Sequence, residues 1–139
     1  MTYYETQLRK IRQNIYSNQW QLDTVIATRN YIDNNYAKDL NLDLLSHTRF
    51  VSKYHLLRLF KRYYGQTPKK YLMNKRIEKS KEHLKSGMTV TQTCFAIGFE
   101  SLGSFSVLFK NRTGLTPTEF RNEQLSRSNL NSDSGTCEP

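Results

Sequence analysis

The side chains that could run chemistry are few and scattered. His47, His55 and His83 have no metal-ligand spacing with one another or with Cys94 and Cys137. No Ser/His/Asp set, no carboxylate pair and no phosphate-cradling glycine loop stands out. The expectation is therefore a protein without catalysis, metal or cofactor. What is concentrated is positive charge. Residues 50–85 hold eight Lys and three Arg (Arg58, Arg62 and Arg76) against Glu78 and Glu82, a net +9 that equals the charge of the whole chain. Tyr54, Tyr63, Tyr64 and Tyr71 interleave with them. A solvated charged surface is the plain reading of such a segment. Density and interleaved aromatics together suit a polyanion better, most simply nucleic acid. An anionic membrane fits less well, because the charges do not lie opposite one broad apolar helix face.

Composition sets the scale of the scaffold that must hold this segment. The 139 residues suit one domain with a tail, and their 37% hydrophobic content with 7 Phe and 9 Tyr allows a modest core. No apolar run approaches the ~18–20 residues of a membrane span. Met1 to Glu5 lacks the form of a secretory signal. Two cysteines argue against a disulfide framework, and a reducing cytoplasm fits them best.

The elements read as helices almost throughout. Tyr4, Leu8, Ile11 and Ile15 form an amphipathic stripe over 4–18, in a segment 1–22 that precedes the domain. Asp23 is placed to cap a second helix with Val25, Thr28, Ile32 and Tyr36 on one face. After a loop at 37–41, Asn41 caps a short helix holding Leu42, Leu44 and Leu45. Ser52 caps another, in which Leu56, Leu59, Phe60 and Tyr63 form the buried stripe. Gly65 is a stop, and Thr67-Pro68 starts a long helix to about 86, ended by Gly87. Gly114 and Thr116-Pro117 repeat that punctuation, with Glu119 completing a capping box. From 124 the Ser- and Asn-rich composition predicts a disordered tail to 139.

These recurrences form an internal repeat. At an offset of 49, Leu56, Leu59, Phe60, Lys61, Gly65, Thr67 and Pro68 match Phe105, Leu108, Phe109, Lys110, Gly114, Thr116 and Pro117. Upstream the offset is 48, as in Leu42/Val90 and Val51/Phe99, so the second copy carries one extra residue near 100–103. Each copy reads as a short helix, a tight turn and a capped second helix, the helix-turn-helix arrangement. The expected fold is all-α: two helix-turn-helix subdomains (23–66 and 88–123) joined by a long linker helix (67–87). A duplicated helical hairpin without a ligand is the bland alternative, and the concentrated charge speaks against it.

At 100° per residue, the arc opposite the Leu56/Leu59/Phe60/Tyr63 stripe carries Tyr54, Leu57, Arg58 and Lys61, with Lys53 beside it. Arg58 suits a guanine edge, while Tyr54 and Leu57 suit sugars or thymine methyls. Lys53, Lys61 and Arg62 read as phosphate contacts. The second copy leaves Gly103, Ser106, Val107 and Lys110 outward, and Ser101 and Ser104 near a helix N-terminus where phosphate can bind. Such a helix is either a weakly specific second contact, the favoured reading, or a brace for the first.

The chain from about 24 to 122 resembles the double helix-turn-helix DNA-binding domain of AraC/XylS-type bacterial transcription regulators. The likeness is strongest in Gly98-Phe99-Glu100-Ser101 through Phe105, Phe109-Lys110, Gly114, Thr116-Pro117 and Phe120-Arg121. The first copy agrees through Ser52, His55-Leu56, Arg58, Phe60-Lys61, Gly65, Pro68, Tyr71-Leu72 and Arg76-Ile77. The resemblance implies recognition helices at Ser52–Tyr64 and Ser101–Arg112. It carries base contacts onto Tyr54, Leu57 and Arg58, and onto Leu102, Gly103, Ser104, Ser106 and Val107. Departures are Val107 where Arg is common, Leu102-Gly103 for a usually polar pair, and Phe50 where the first turn often has Gly.

The resulting expectation is a sequence-specific regulator, an activator that binds double-stranded DNA and contacts RNA polymerase in the cytoplasm. An architectural DNA binder and a protein-interaction module for RNA polymerase are the alternatives. The amphipathic segment is expected to be an ordered helix with its stripe buried, either within a monomer or in a weak dimer. Stand-alone regulator and DNA-binding piece of a longer one both fit the sequence.

Overall fold

Local caps explain where most helices begin and end. In a computed structural model, which describes residues 2–133, the order is α1 Tyr3–Asn34, α2 Leu42–Thr48, α3 Lys53–Tyr64, α4 Pro68–Lys85, α5 Val90–Ala96, α6 Leu102–Thr113 and α7 Pro117–Asp133. Asn41, Ser52 and Ser101 accept from backbone N–H groups three residues on, at 3.4, 3.1 and 3.1 Å. Thr116 and Glu119 form the reciprocal capping box at 3.2 Å each way. A second box, Thr89 with Gln92, starts α5. Gly65 and Gly114 end α3 and α6 in the left-handed conformation. All elements among the described residues are helices, as the resemblance implies.

The chain divides into two compact units, residues 1–35 with 40–72 and residues 36–39 with 73–139. The boundary thus falls inside α4 and inside the loop after α1, where the sequence expectation had subdomains 23–66 and 88–123 on either side of a linker helix. In the first unit, Val25 and Ile32 of α1, Leu42 of α2, Leu56, Leu59 and Phe60 of α3, and Leu72 of α4 are buried. Thr24 and Thr28 are buried too, their hydroxyls donating to the Trp20 and Thr24 carbonyls at 2.9 Å. Tyr71 closes the unit by donating from its hydroxyl to Asp33 at 2.8 Å. Burial and that bond push its pKa up to about 12. In the second unit, Ile77, Leu84, Cys94, Ile97, Phe105 and Phe109 form the core, with Phe99 and Phe120 packed against it. Cys94 is a free, buried thiol whose pKa burial raises. Cys137 lies outside the described residues.

Two expectations about helix extent are corrected. The segments 4–18 and 23–36 are one helix, and Asp23 is not a cap but an internal residue accepting from the Gln19 side chain at 3.3 Å. No glycine or proline lies between them to stop propagation. The tail does not lose order at 124: α7 continues to Asp133. Ser126 and Ser128 donate to carbonyls one turn back at 3.0 Å, and Arg127 pairs with Glu123 at 2.9 Å. Local i,i+4 bonding outweighs a composition that favours disorder. The expected tail residues 134–139 lie outside the described residues.

The helix-turn-helix repeat is geometric as well as sequential. α2 and α5 start 48 apart, α3 and α6 start 49 apart, and the extra residue sits in the second turn. Both turns pass through the left-handed region at matching positions: Phe50 with φ 55 and Gly98 with φ 94. Their N–H groups donate to His47 and Phe95 carbonyls at 3.2 Å in both cases. A non-glycine residue costs about 1–2 kcal/mol there. Phe50 recovers none of that by burial, being 96% exposed. Phe50→Gly should therefore stabilise the first unit by about 1 kcal/mol after its added unfolded-state entropy. Thermal unfolding monitored at unit-one amides checks this, and an unchanged or lower midpoint would refute it.

Candidate nucleic-acid interface

α3 is held by its buried arc, so its other arc is turned to solvent. Leu56, Leu59 and Phe60 anchor it in the first unit, with Phe60 against Tyr64 and Tyr71 at 4.8 and 5.6 Å between ring centroids. Lys53, Arg58, Lys61 and Arg62 are exposed, Tyr54 is 78% exposed, and Leu57 is half-buried. Lys53 lies 3.9 Å from Asp43 in a solvent-exposed pair that is worth little. Lys69 and Lys70, exposed in the first turn of α4, add two more cations to the same unit.

Arg58 has a neighbour that spacing alone did not reveal. With His55, Leu59 and Arg62 it lines a shallow groove of about 380 Å³ whose further wall is Gln21 of α1. Gln21 fell in the segment 1–22 that the sequence reading set before the domain. Only packing of α1 beside α3 brings it there.

In the second unit Phe105 and Phe109 anchor α6. Ser101, Leu102, Gly103, Ser104, Val107 and Lys110 are exposed and Ser106 is half-buried. The Ser101 hydroxyl is engaged locally, accepting from the Ser104 N–H at 3.1 Å and lying 2.9 Å from the Ser104 hydroxyl. Arg112 hydrogen-bonds to Asn74. The open face of α6 thus consists mostly of small side chains, serines among them, with Lys110 as the cation near its end. That contrasts with the four cations of α3.

The cations of the basic segment are not uniformly available. Arg76 is only 6% exposed. It donates to the Tyr36 and Lys38 carbonyls at 2.7 and 3.0 Å and sits 5.5 Å from the Phe99 ring centroid. Burial lowers its pKa. Its charge serves the second unit's core. Lys79 pairs with Glu82 at 3.3 Å. The remaining exposed cations concentrate on α3 and the start of α4. No described helix is long and apolar enough to cross a membrane, and no described cluster of His, Cys, Asp and Glu could hold a metal.

Comparison with known proteins gives the family of this fold. A helix-turn-helix domain family matches residues 45–123. An HTH-type transcriptional regulator from the cgkA 5' region of Pseudoalteromonas carrageenovora is 35% identical over 91 residues, covering 66% of this chain and 54% of that protein. The chain spans about half the length, or less, of the first curated relatives it matches. Among solved structures, the C-terminal domain of the response regulator AraT from Geobacillus stearothermophilus has a TM-score of 0.67 and 27% identity, over 72% of this chain and 84% of that one. The DNA-binding domain of the transcriptional factor AdpA, solved with a target DNA, has the same fold at 18% identity, with a TM-score of 0.63 over 77% of this chain and 94% of that one. With its paired helix-turn-helix units, the chain belongs to the AraC/XylS family of DNA-binding transcription regulators.

Proposed function

We propose that the chain recognises a specific double-stranded site through α3 and α6, each entering a major-groove segment, and that α3 carries most of the sequence discrimination. The observation behind this reading is the outward arc of α3, where Tyr54, Leu57 and Arg58 lie between the phosphate-seeking Lys53, Lys61 and Arg62. An arginine reads guanine O6 and N7 with two bonds, whereas Ser106 and Val107 on α6 offer one weak polar group and a methyl-sized contact. Ser101, Leu102, Gly103, Ser104 and Lys110 then position α6 on the backbone more than they read bases. The resemblance further supports an activating role with RNA polymerase as protein partner, and action in the cytoplasm.

Selection of bound sequences followed by footprinting tests the reading. A regulator protects one discrete site, whereas an architectural binder coats DNA with little preference. Arg58→Ala should weaken specific binding by about 1–3 kcal/mol and relax preference at one base pair. Val107→Ala should leave specificity nearly unchanged. A larger specificity loss at Val107 would reverse the ranking of the two helices.

A further inference from the structure

The first eighteen or so residues of α1 leave the first unit as a helical arm with no buried side chain before Thr24 among those described. Tyr4, Leu8, Ile11 and Ile15 are between 41% and 72% exposed, so their stripe finds no cover among the described residues. Of the two expected forms of burial, the intramolecular one is not seen among the described residues. Nor is the stripe an extension of the face that docks on the unit. At 100° per residue, Thr24, Val25, Thr28 and Ile32 centre about 110° away from Tyr4, Leu8, Ile11, Ile15 and Leu22. The rotation shows at the junction, where Leu22 is exposed and Thr24 is buried two residues later. With the two faces about 110° apart and the stripe exposed, the stripe addresses something outside the unit.

We propose that its occupant is the stripe of a second copy, running antiparallel. Tyr4, Leu8, Ile11 and Ile15 fall at alternating steps of four and three, the a/d spacing of a helix pair. In antiparallel register Tyr4 packs on Ile15 of the second copy, and Leu8 on Ile11. Glu5 and Arg12 flank the stripe on one side, and this register sets Glu5 of each copy opposite Arg12 of the other. Gln7 and Asn14 face each other on the opposite side, neutral and able to hydrogen-bond. Parallel pairing has no such match within the stripe: it sets Arg12 against the neutral Gln7. Eight apolar side chains bury on the order of 800 Å² in total, below the ~1,200 Å² of standard stable interfaces, so the dimer is weak.

A consequence rests on the DNA-binding reading. The two-fold axis crosses the arms between Arg9 and Lys10, so the two Gln21 residues, each beside its own α3, stand about 35 Å apart along the helices. One turn of duplex spans ~34–36 Å, which matches two α3 helices presented to one face of an inverted repeat.

Sedimentation equilibrium of the full chain without DNA tests the dimer independently of DNA recognition. The wild type should self-associate, and Ile11→Asp should be monomeric with unchanged helix content. Glu5→Arg or Arg12→Glu alone should weaken association about tenfold, since two attractive pairs become two repulsive ones. The double swap should return it to within about threefold of the wild type. Arg58→Ala should dimerise normally while its specific DNA binding is weakened, which separates failure of this proposal from failure of the recognition reading. A wild-type monomer at ~500 μM, association insensitive to Ile11→Asp, or a double swap no better than the single ones would overturn it.

Discussion

Replacing Gly98 by alanine should destabilise the second unit by about 3 kcal/mol or more, although the change adds only one methyl group. Two penalties coincide at this position. The backbone sits at φ 94, where an L side chain is strained. A Cβ there would lie 2.6 Å from the Ala37 carbonyl oxygen and 2.8 Å from its carbon. Those are backbone atoms in the stretch whose Tyr36 and Lys38 carbonyls hold Arg76, so relief by a rotamer change is closed. The turn would have to open beside Phe99, which packs against Phe105 at 5.5 Å in the aromatic run that continues to Phe109 and Phe120. Gly114→Ala is the matched control: φ is 83, but nothing lies within 4 Å of the added carbon, so it should cost only about 1–2 kcal/mol. Amide exchange at Phe105 and Phe109, with thermal unfolding, reads the difference. Equal costs for the two variants would show that the Ala37 contact is soft.

The second large effect is on binding. Affinity for duplex DNA should fall about a thousandfold between 50 and 200 mM salt, a log–log slope near −5 if about six phosphates are neutralised. The cations that can do this are Lys53, Lys61, Arg62, Lys69 and Lys70 in the first unit and Lys110 in the second, all exposed. Arg76 is excluded by its burial and its two carbonyl partners. Removing any one of the lysines should reduce the slope by about one and weaken all sequences alike. Titration by fluorescence anisotropy at several salt concentrations measures both. A slope shallower than about −2 would remove these side chains from the phosphate backbone and with them the proposed docking of α3.

Much of the helix framework could be read from the chain because its determinants act within one turn. Asn41, Ser52, Thr116 and Glu119 bond to backbone groups three residues away, and Gly65 and Gly114 stop helices through their own φ. The duplication followed from the same signals recurring at offsets of 48 and 49. Spacing also separated the buried and outward arcs of α3, since a helix fixes which residues share a face.

Tertiary structure decided what depends on partners distant in sequence. Arg76 counts as one cation among eleven in its segment until the Tyr36 and Lys38 carbonyls, some forty residues earlier, claim it for the core. Phe50 and Gly98 occupy equivalent turns, and the sequence marked Phe50 as the departure. Only the packing shows that the first site is open to solvent while Ala37 closes the second. Gln21 reached the wall of the Arg58 groove, and the α1 stripe faced away from its own unit, because a continuous helix transmits its rotation rigidly from the docked end to the free one. Periodicity states which residues of a helix point together. Which way that face points in space is set by contacts made elsewhere along the chain.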